Sequence, residues 1–502
     1  MGPGVTETVT SQRQRRRSIL TRVVVMNGSA RSWLFLCLLA FAAAPGCGEG
    51  AGGGLPTSLT VVPITDINPD PSIVEVNLVA SPGQTRYLKD GPADVWGYRD
   101  GAVAGSVATV PGPFIEAKPG DSVIIHFTNE LPEATTIHWH GLRVPNAADG
   151  TPSTQVEVAP GGTFDYRFTT DDAGTFWYHP HLHSDVQIER GLYGALVVRG
   201  GPEIPVNADR TFVLDDVKLE ATGQLSEVTS PLDLMLGRQG NVILANGRAG
   251  GKLEVGTGAR ERWRFANSAN GRYFNLQVPG HTFTVIGWDG GMLAEPYVAQ
   301  TLLVAPGERY DVLVDLTGMP GDTFPLQTIH YDRGHDIPDP GPKTVFDVVL
   351  GKAAAQVGPT PTTWGTRPDL PTDTNTAVRE IVLNEKEAMN PGEEPRFFIN
   401  DTSFPAVAPI QGTSDRVEVW RVVNDSEMDH PFHLHGMFFE VLDVGGVAPL
   451  HRGWKDTVNV PMKTTLRFAV RYGTAGTWMY HCHILEHAER GMMGTLVLSS
   501  GT

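Results

Sequence analysis

The sequence runs to 502 residues with 40% hydrophobic and 19% charged side chains, enough chain for two to four domains of ordinary globular composition, neither disordered nor membrane-embedded. Its 39 basic against 56 acidic residues give a formal net charge of -17, which argues against nucleic acid and anionic lipid as main partners because both surfaces repel it. Three cysteines exclude a disulfide scaffold while 16 histidines leave room for metal chemistry, and 57 glycines with 38 prolines favour turns and short strands over helical bundles.

Residues 1–47 read as an export signal. An Arg-rich stretch at 13–22 precedes WLFLCLLAFAAA at 33–44, an apolar run too short to span a bilayer but the right size for a signal h-region. Ala44-Pro45-Gly46-Cys47 resembles a bacterial lipoprotein cleavage box in which Ala44 replaces the usual aliphatic residue; lipid attachment at Cys47 and plain cleavage both stay open. Arg16 and Arg17 resemble a twin-arginine signal placed far upstream, and Met26 offers an alternative start, so the export route stays open too. The expected location is the bacterial periplasm or cell envelope. Without residues 1–47 the chain holds 33 basic and 55 acidic residues, a net charge of -22, and Cys482 is the one cysteine of the folded body.

Residues 48–58 have the composition of a flexible linker. From 59 to 200, segments such as SVIIHFTN (122–129) and GALVVRG (194–200) alternate with Gly, Pro, Asn and Asp turns and read as strands. The same texture, in RTFVLDDV, ERWRFAN and RYDVLVDL, fills 201–350. A Pro/Thr/Gly-rich linker is expected at 351–376, after which REIVLNE opens a third block at 377–502. Three all-β blocks, each the size of a Greek-key sandwich, are the expected architecture, with no helical domain.

The histidines cluster. Random placement of 16 over this length would give about half a His-x-His pair, yet five occur, at 138/140, 179/181, 181/183, 433/435 and 481/483. On a strand, residues two apart share a face, so each pair presents two imidazoles to one point. Four such clusters, two towards each end of the chain, point to a multinuclear metal site. The last cluster adds Cys482, His487 and Met492; with His430 these make the thiolate, two imidazoles and thioether of a blue-copper electron-transfer centre. If 481–483 is extended, Cys482 faces one way and His481 and His483 the other, so one thiolate is tied by a short covalent path to a second metal cluster.

IHWHG (137–141), WYHPHLHSD (177–185), HPFHLHG (430–436) and HCHILEHAERGMM (481–493), in this order and spacing, resemble the four copper motifs of the multicopper oxidases, the family of laccases, bilirubin oxidases and bacterial copper-efflux oxidases. The resemblance extends over nearly all of the mature chain, including GPFIEAKPGD (112–121) and GWKDTV (453–458). It implies three cupredoxin-like domains and four copper ions: a type 1 ion in the third domain and a trinuclear cluster between the first and third. Carried over by position, the type 1 ligands are His430, Cys482, His487 and axial Met492. His138 and His433 fall at the type 2 ion; His140, His179 and His483 at one type 3 ion; His181, His435 and His481 at the other. His183 occupies a common family position without being a ligand, and His126, His281, His330, His335 and His451 read as structural or surface residues.

The resemblance implies oxidation of four reductant molecules, one electron each, per dioxygen reduced to two waters, with Cys482, His481 and His483 carrying the electrons. Asp149 in AADG resembles the family's acidic residue near the type 2 ion, a proton relay or else a turn Asp. Ala488 departs from several bacterial relatives that carry an acid there; Glu489 or water takes over that work, or oxygen reduction is slower. No Met-rich insertion is found, Met428 reads as core, and Asp456 reads as either a substrate contact or a structural hydrogen-bonding residue. The expected partners are dioxygen and a small-molecule reductant, phenolic or aromatic-amine in class, and the expected state is a monomer. Cu(I) as reductant, and a non-catalytic exported role, are the alternatives.

Overall fold

The computed structural model describes Met1 and residues 58–501, apart from positions 90, 228, 336, 363, 367, 372–375 and 387–392. The expected export signal, Cys47 and nearly all of the linker at 48–58 lie outside the described residues. Strands hold 49% of the residues and helices 5%, so sheets supply the cores and the all-β expectation holds. Residues 54–502 pack as one compact unit.

Within it the strands fall in three sequence blocks, each with two sheets sharing a core. In the first block the order Gly91–Asp100, Ile73–Leu88, Ser122–Asn129, Thr163–Thr169 makes one sheet, and Ile115–Ala117, Gly194–Val198, Gly174–His179, His138–His140 the other. Ser122–Asn129 shows how sequence makes the strand: Val123, Ile125 and Phe127 are buried on one face while Ser122, Ile124, His126 and Thr128 face outward, the period-two pattern of a half-buried strand. Gly174–His179 is buried at every position, because this sheet has protein on both faces. The second block, Ala208–Ala353, builds six- and five-stranded sheets, and so does the third, Val378–Ser499.

Two expected boundaries shift. Strand Lys343–Ala353 continues three residues past 350 because Ala353 pairs with Thr257 of the neighbouring strand. Leu59, expected to open the first block, buries its side chain in the core of the second, where its carbonyl accepts a hydrogen bond from Asn246 Nδ2 at 2.6 Å. The described part of the linker is pinned to both later blocks: Gly365 N–H donates to the Leu293 carbonyl and Leu370 N–H to Glu440 Oε2 at 3.1 Å.

Three short helices, α1 (Ser184–Glu189), α2 (Pro231–Leu236) and α3 (Leu485–Glu489), stand where the blocks meet. Ser184 donates to Glu489 at 2.7 Å, Arg490 to Asp185 at 3.0 Å, and Asn146 Nδ2 to the Thr477 carbonyl at 2.6 Å; these contacts join the first block to the third. α2 is fixed at its start by a capping box between Ser230 and Asp233, which satisfies backbone N–H groups otherwise without partners.

Candidate metal centre

Strand register brings the motifs together. His138 pairs with His179 across the sheet of the first block. In the third block His433 pairs with His481 on one side and Thr457 on the other, and Phe432 pairs with Cys482. Where the first and third blocks meet, eight buried histidines (138, 140, 179, 181, 433, 435, 481 and 483) form one cluster. His138 stacks on His435 and His140 on His433, each at 3.9 Å between ring centroids. His181 Nε2 and His435 Nε2 lie 3.3 and 3.1 Å from His481 Nε2, so these three form one ligand set, and His138, His140 and His179 form another. His483 adjoins the latter, its ring 4.8 Å from His140 and 5.8 Å from His179. His138 also groups with His433 and His435.

The ring nitrogens are pre-sorted for ligation. His138 Nδ1 meets the Asp149 carbonyl at 2.7 Å, His179 Nδ1 the Pro180 carbonyl at 2.8 Å, His433 Nδ1 the Asp456 carbonyl at 3.0 Å, and His481 Nδ1 the Cys482 carbonyl at 2.8 Å. A carbonyl can only accept, so each of these Nδ1 atoms carries the proton and Nε2 keeps its lone pair. His140 is held the other way, Nε2 on Thr457 Oγ1 at 3.1 Å, leaving Nδ1. The opposite nitrogens of His138, His140, His179 and His433, and both nitrogens of His483, are buried without a protein partner. Burial and then neighbouring imidazoles push His179, His435 and His481 well below the ordinary histidine value and His181 down to about 3; the rings are neutral and available to a metal. Buried, unpartnered imidazole nitrogens converging in this way fit a cluster of copper ions.

On the other face of strand Gly476–Cys482 lies a second site. Cys482 Sγ is 3.5 Å from His430 Nδ1 and 3.7 Å from His487 Nδ1, and the two nitrogens are 3.2 Å apart. Met492 is fully buried in the same core as Cys482, and its carbonyl accepts the Cys482 N–H at 3.1 Å. Ser426 Oγ at 2.8 Å from His430 Nε2, and the Met235 carbonyl of α2 at 3.0 Å from His487 Nε2, orient both rings with Nδ1 towards the sulfur. Burial pushes the thiol up, so a cation beside it is what favours the thiolate. One soft sulfur with two imidazoles fits copper rather than a hard cation.

Two acids lie against the cluster. Asp149 is fully buried; its Oδ2 meets His435 Nδ1 at 3.0 Å while Oδ1 has no hydrogen-bond partner. Gly150 after it has φ of +78° and passes so close to the His138 strand that an added Cβ would sit 1.7 Å from the Ile137 carbonyl, which is why glycine stands there. Asp456 lies beside His140 and His433 rather than beside His430 and His487, so of its two sequence readings the structural one stands and substrate contact does not. Arg309 of the second block grips it, Nη1 to Oδ1 and Nη2 to Oδ2, both at 2.6 Å. Burial alone would raise this carboxyl; the Arg309 charge and the hydrogen bonds from His140 and His433 hold it well below the usual range. Arg309 was not singled out from sequence, because an Arg in a strand of another block carries no local signal.

The two sites account for every copper-motif histidine except His183. Three stretches of the chain, 90–203, 216–341 and 353–501, match family models described as multicopper oxidase. The chain belongs to the multicopper oxidase family. It is 30% identical to a multicopper oxidase of Staphylococcus epidermidis over 84% of this chain and 88% of that protein. Among solved structures it resembles a multicopper oxidase of Campylobacter jejuni described as a metallo-oxidase, with TM-score 0.78 and 29% identity over 89% of this chain and 96% of that one. It also resembles the laccase-like multicopper oxidase CueO of the lignin-degrading bacterium Ochrobactrum sp., with TM-score 0.74 and 27% identity over 88% and 100% of the two chains. As a multicopper oxidase the chain uses four copper ions, of types 1, 2 and 3, and dioxygen as acceptor.

The remaining histidines lie outside both ligand groups, although His335 reaches His430 through Glu385, whose Oε2 is 3.8 Å from His430 Nε2. His126 bridges Glu75 and Asp165, His281 meets the Thr317 carbonyl, His335 pairs with Glu385, and His451 stacks on Tyr297 at 3.8 Å. His183 starts α1 with its side chain 65% exposed. Met428 is fully buried in the third core. Glu489 next to Ala488 is engaged by Ser184 N–H and Oγ, both at 2.7 Å.

Proposed function

We propose that this multicopper oxidase oxidises phenolic or aromatic-amine reductants one electron at a time at the Cys482 site. His430, Cys482, His487 and Met492 would hold the type 1 ion, His138 and His433 the type 2 ion, His140, His179 and His483 one type 3 ion, and His181, His435 and His481 the other. Bound copper supplies four one-electron centres, matching the four electrons that take dioxygen to two waters. The observation that carries this reading is the opposite facing of Cys482 and its two neighbours: Cys482 lies with His430 and His487, while His481 and His483 lie in the eight-histidine cluster. One residue's backbone therefore bridges the two ligand groups.

The chain's own residues do the rest. Backbone carbonyls fix the imidazole tautomers, burial excludes water, and Arg309 with Asp456 clamps the strands that carry His433 and Thr457. Asp149, with Oδ2 on His435 and Oδ1 3.5 Å from His138 Nδ1 without a hydrogen bond, hands protons towards the cluster. The export signal at 1–47 puts the protein in the periplasm or cell envelope, free or anchored at Cys47, as a monomer. The test is oxygen uptake by copper-loaded protein given a phenol, an aromatic amine or Cu(I) at equal oxygen. Faster uptake with the organic donors supports the reading, and uptake with Cu(I) alone overturns it.

A further inference from the structure

A cavity of about 400 Å³ opens in the second block, lined by its residues from Lys218 to Lys343. Its wall carries four cationic side chains, Lys218, Arg272, Arg333 and Lys343, and two tyrosines, Tyr273 and Tyr331. Two of the cations are neutralised: Arg272 Nε meets Asp216 at 2.5 Å and Lys218 Nζ meets Asp233 at 2.7 Å. Arg333 and Lys343 meet no carboxylate among the described residues. Arg333 is 2% exposed, yet neither Nη1 nor Nη2 has a protein acceptor; its guanidinium lies 5.5 Å above the Tyr273 ring. A buried guanidinium with two idle donors is costly unless an acceptor reaches it. The partly exposed His330 faces Asp339 at 4.0 Å, and Asp336 lies outside the described residues.

The cavity wall is continuous with the proposed type 1 site. The Arg333 carbonyl accepts the N–H of Asp429 at 2.8 Å, and Asp429 immediately precedes His430. Tyr331 donates to Asp429 Oδ2 at 2.6 Å and Tyr273 to Asn459 Oδ1 at 3.0 Å, while Asn459 donates to the same Asp429 oxygen at 2.7 Å. Tyr273 packs in one core with Met428, Cys482 and Met492. Tyr273 and Tyr331 stack at 5.6 Å and 24°, a flat aromatic wall beside the cationic one.

The geometry points to this cavity as the docking site for an anionic aromatic reductant, a phenol that also bears a carboxylate, with Arg333 and Lys343 holding the carboxylate and the tyrosine wall holding the ring. This rests on the laccase-like reading and names its substrate class. The volume suits a small aromatic acid, and the local positive charge in an otherwise acidic protein attracts an anion while repelling Cu(I). In the reaction four such phenols each lose one electron and one proton, giving four phenoxyl radicals; the four electrons and four protons convert one dioxygen to two waters. The carboxylate is unchanged throughout.

The test uses copper-loaded full-length protein, oxygen uptake, and two donors that differ only in charge, 4-hydroxy-3,5-dimethoxybenzoate and its methyl ester. Taking the acid-to-ester ratio of kcat/KM within each protein and comparing it with wild type cancels the intrinsic reactivity of the donors. In Arg333→Gln that ratio falls about tenfold, the loss of one charge-assisted bond. In Lys343→Gln, at a half-buried position, it falls about threefold. Calorimetric titration with benzoate, which cannot be oxidised, gives binding to wild type that weakens about tenfold in Arg333→Gln. Ratios unchanged in both variants, or benzoate that does not bind wild type, would overturn the docking site. Oxygen uptake with neither phenol would sink the laccase-like reading instead, and benzoate binding that depends on Arg333 would still uphold the anion site.

Discussion

Arg309→Met isolates the contribution of the second block, which supplies no copper-motif residue. Arg309 is fully buried; besides the paired 2.6 Å bonds to Asp456 it donates from Nε to the Thr175 carbonyl at 3.0 Å and from Nη2 to the Asp289 carbonyl at 3.1 Å. It thereby ties all three blocks at one point. Removing it leaves the Asp456 carboxylate, 1% exposed, buried without its cation, a loss of about 3–5 kcal/mol. With the carboxylate no longer clamped, the backbone carbonyl that orients His433 and the hydroxyl that holds His140 lose their anchor, and copper affinity at the cluster falls about 10- to 100-fold. Urea unfolding of the copper-free protein measures the first effect, and metal analysis with the type 2 EPR signal after dialysis measures the second. The double variant Arg309→Met/Asp456→Asn removes the orphaned charge and recovers part of the stability, because deleting both partners of a buried pair costs less than deleting one. An Arg309→Met protein within about 1 kcal/mol of wild type and with full copper would refute the clamp.

Cys482→Ser removes the soft ligand, so the intense blue absorption disappears and the copper content drops by one ion while the eight-histidine cluster keeps its metal; a blue variant would place the chromophore elsewhere. Asp149→Asn lowers kcat about 100-fold with little change in KM for the reductant, since it acts on the oxygen side, and unchanged turnover would remove Asp149 from the proton path. Gly150→Ala is expected to cost about 3 kcal/mol or more, because a methyl group 1.7 Å from the Ile137 carbonyl forces the backbone apart; a variant as stable as wild type in urea would contradict this. Hydrogen bonds to Glu75 and then Asp165 raise His126. Their stabilisation is therefore full below the ordinary histidine value of about 6.5 and is lost as pH rises through the folded-state value. The unfolding midpoints of wild type and His126→Gln should differ more at low pH than at high pH, and a constant gap would deny the link.

The copper motifs were legible because strand periodicity and ligand chemistry are both local: His-x-His on a strand has one geometric meaning, and the His481-Cys482-His483 alternation survives intact in the structure. The strands at 122–129 and 309–316 were legible for the same reason, alternation or a continuous apolar run bounded by turns. What eluded sequence reasoning was long-range. Arg309 reaches Asp456 across 147 residues, so GWKDTV alone left that aspartate between two readings. Met235 of α2 meets His487 across 252 residues, and Arg333 looks like any loop arginine until its burial is known. Domain edges slipped where pairing overrode composition, as at Ala353, and where a single apolar side chain found another block's core, as Leu59 did.

The most direct test of the whole account is the stoichiometry of the copper-loaded protein with a phenol in an oxygen electrode, with peroxide assayed alongside. A protein carrying four copper ions per chain should consume one dioxygen for every four one-electron oxidations and release no hydrogen peroxide. One dioxygen for every two oxidations with peroxide accumulating, or folded protein that takes up no copper, would contradict it.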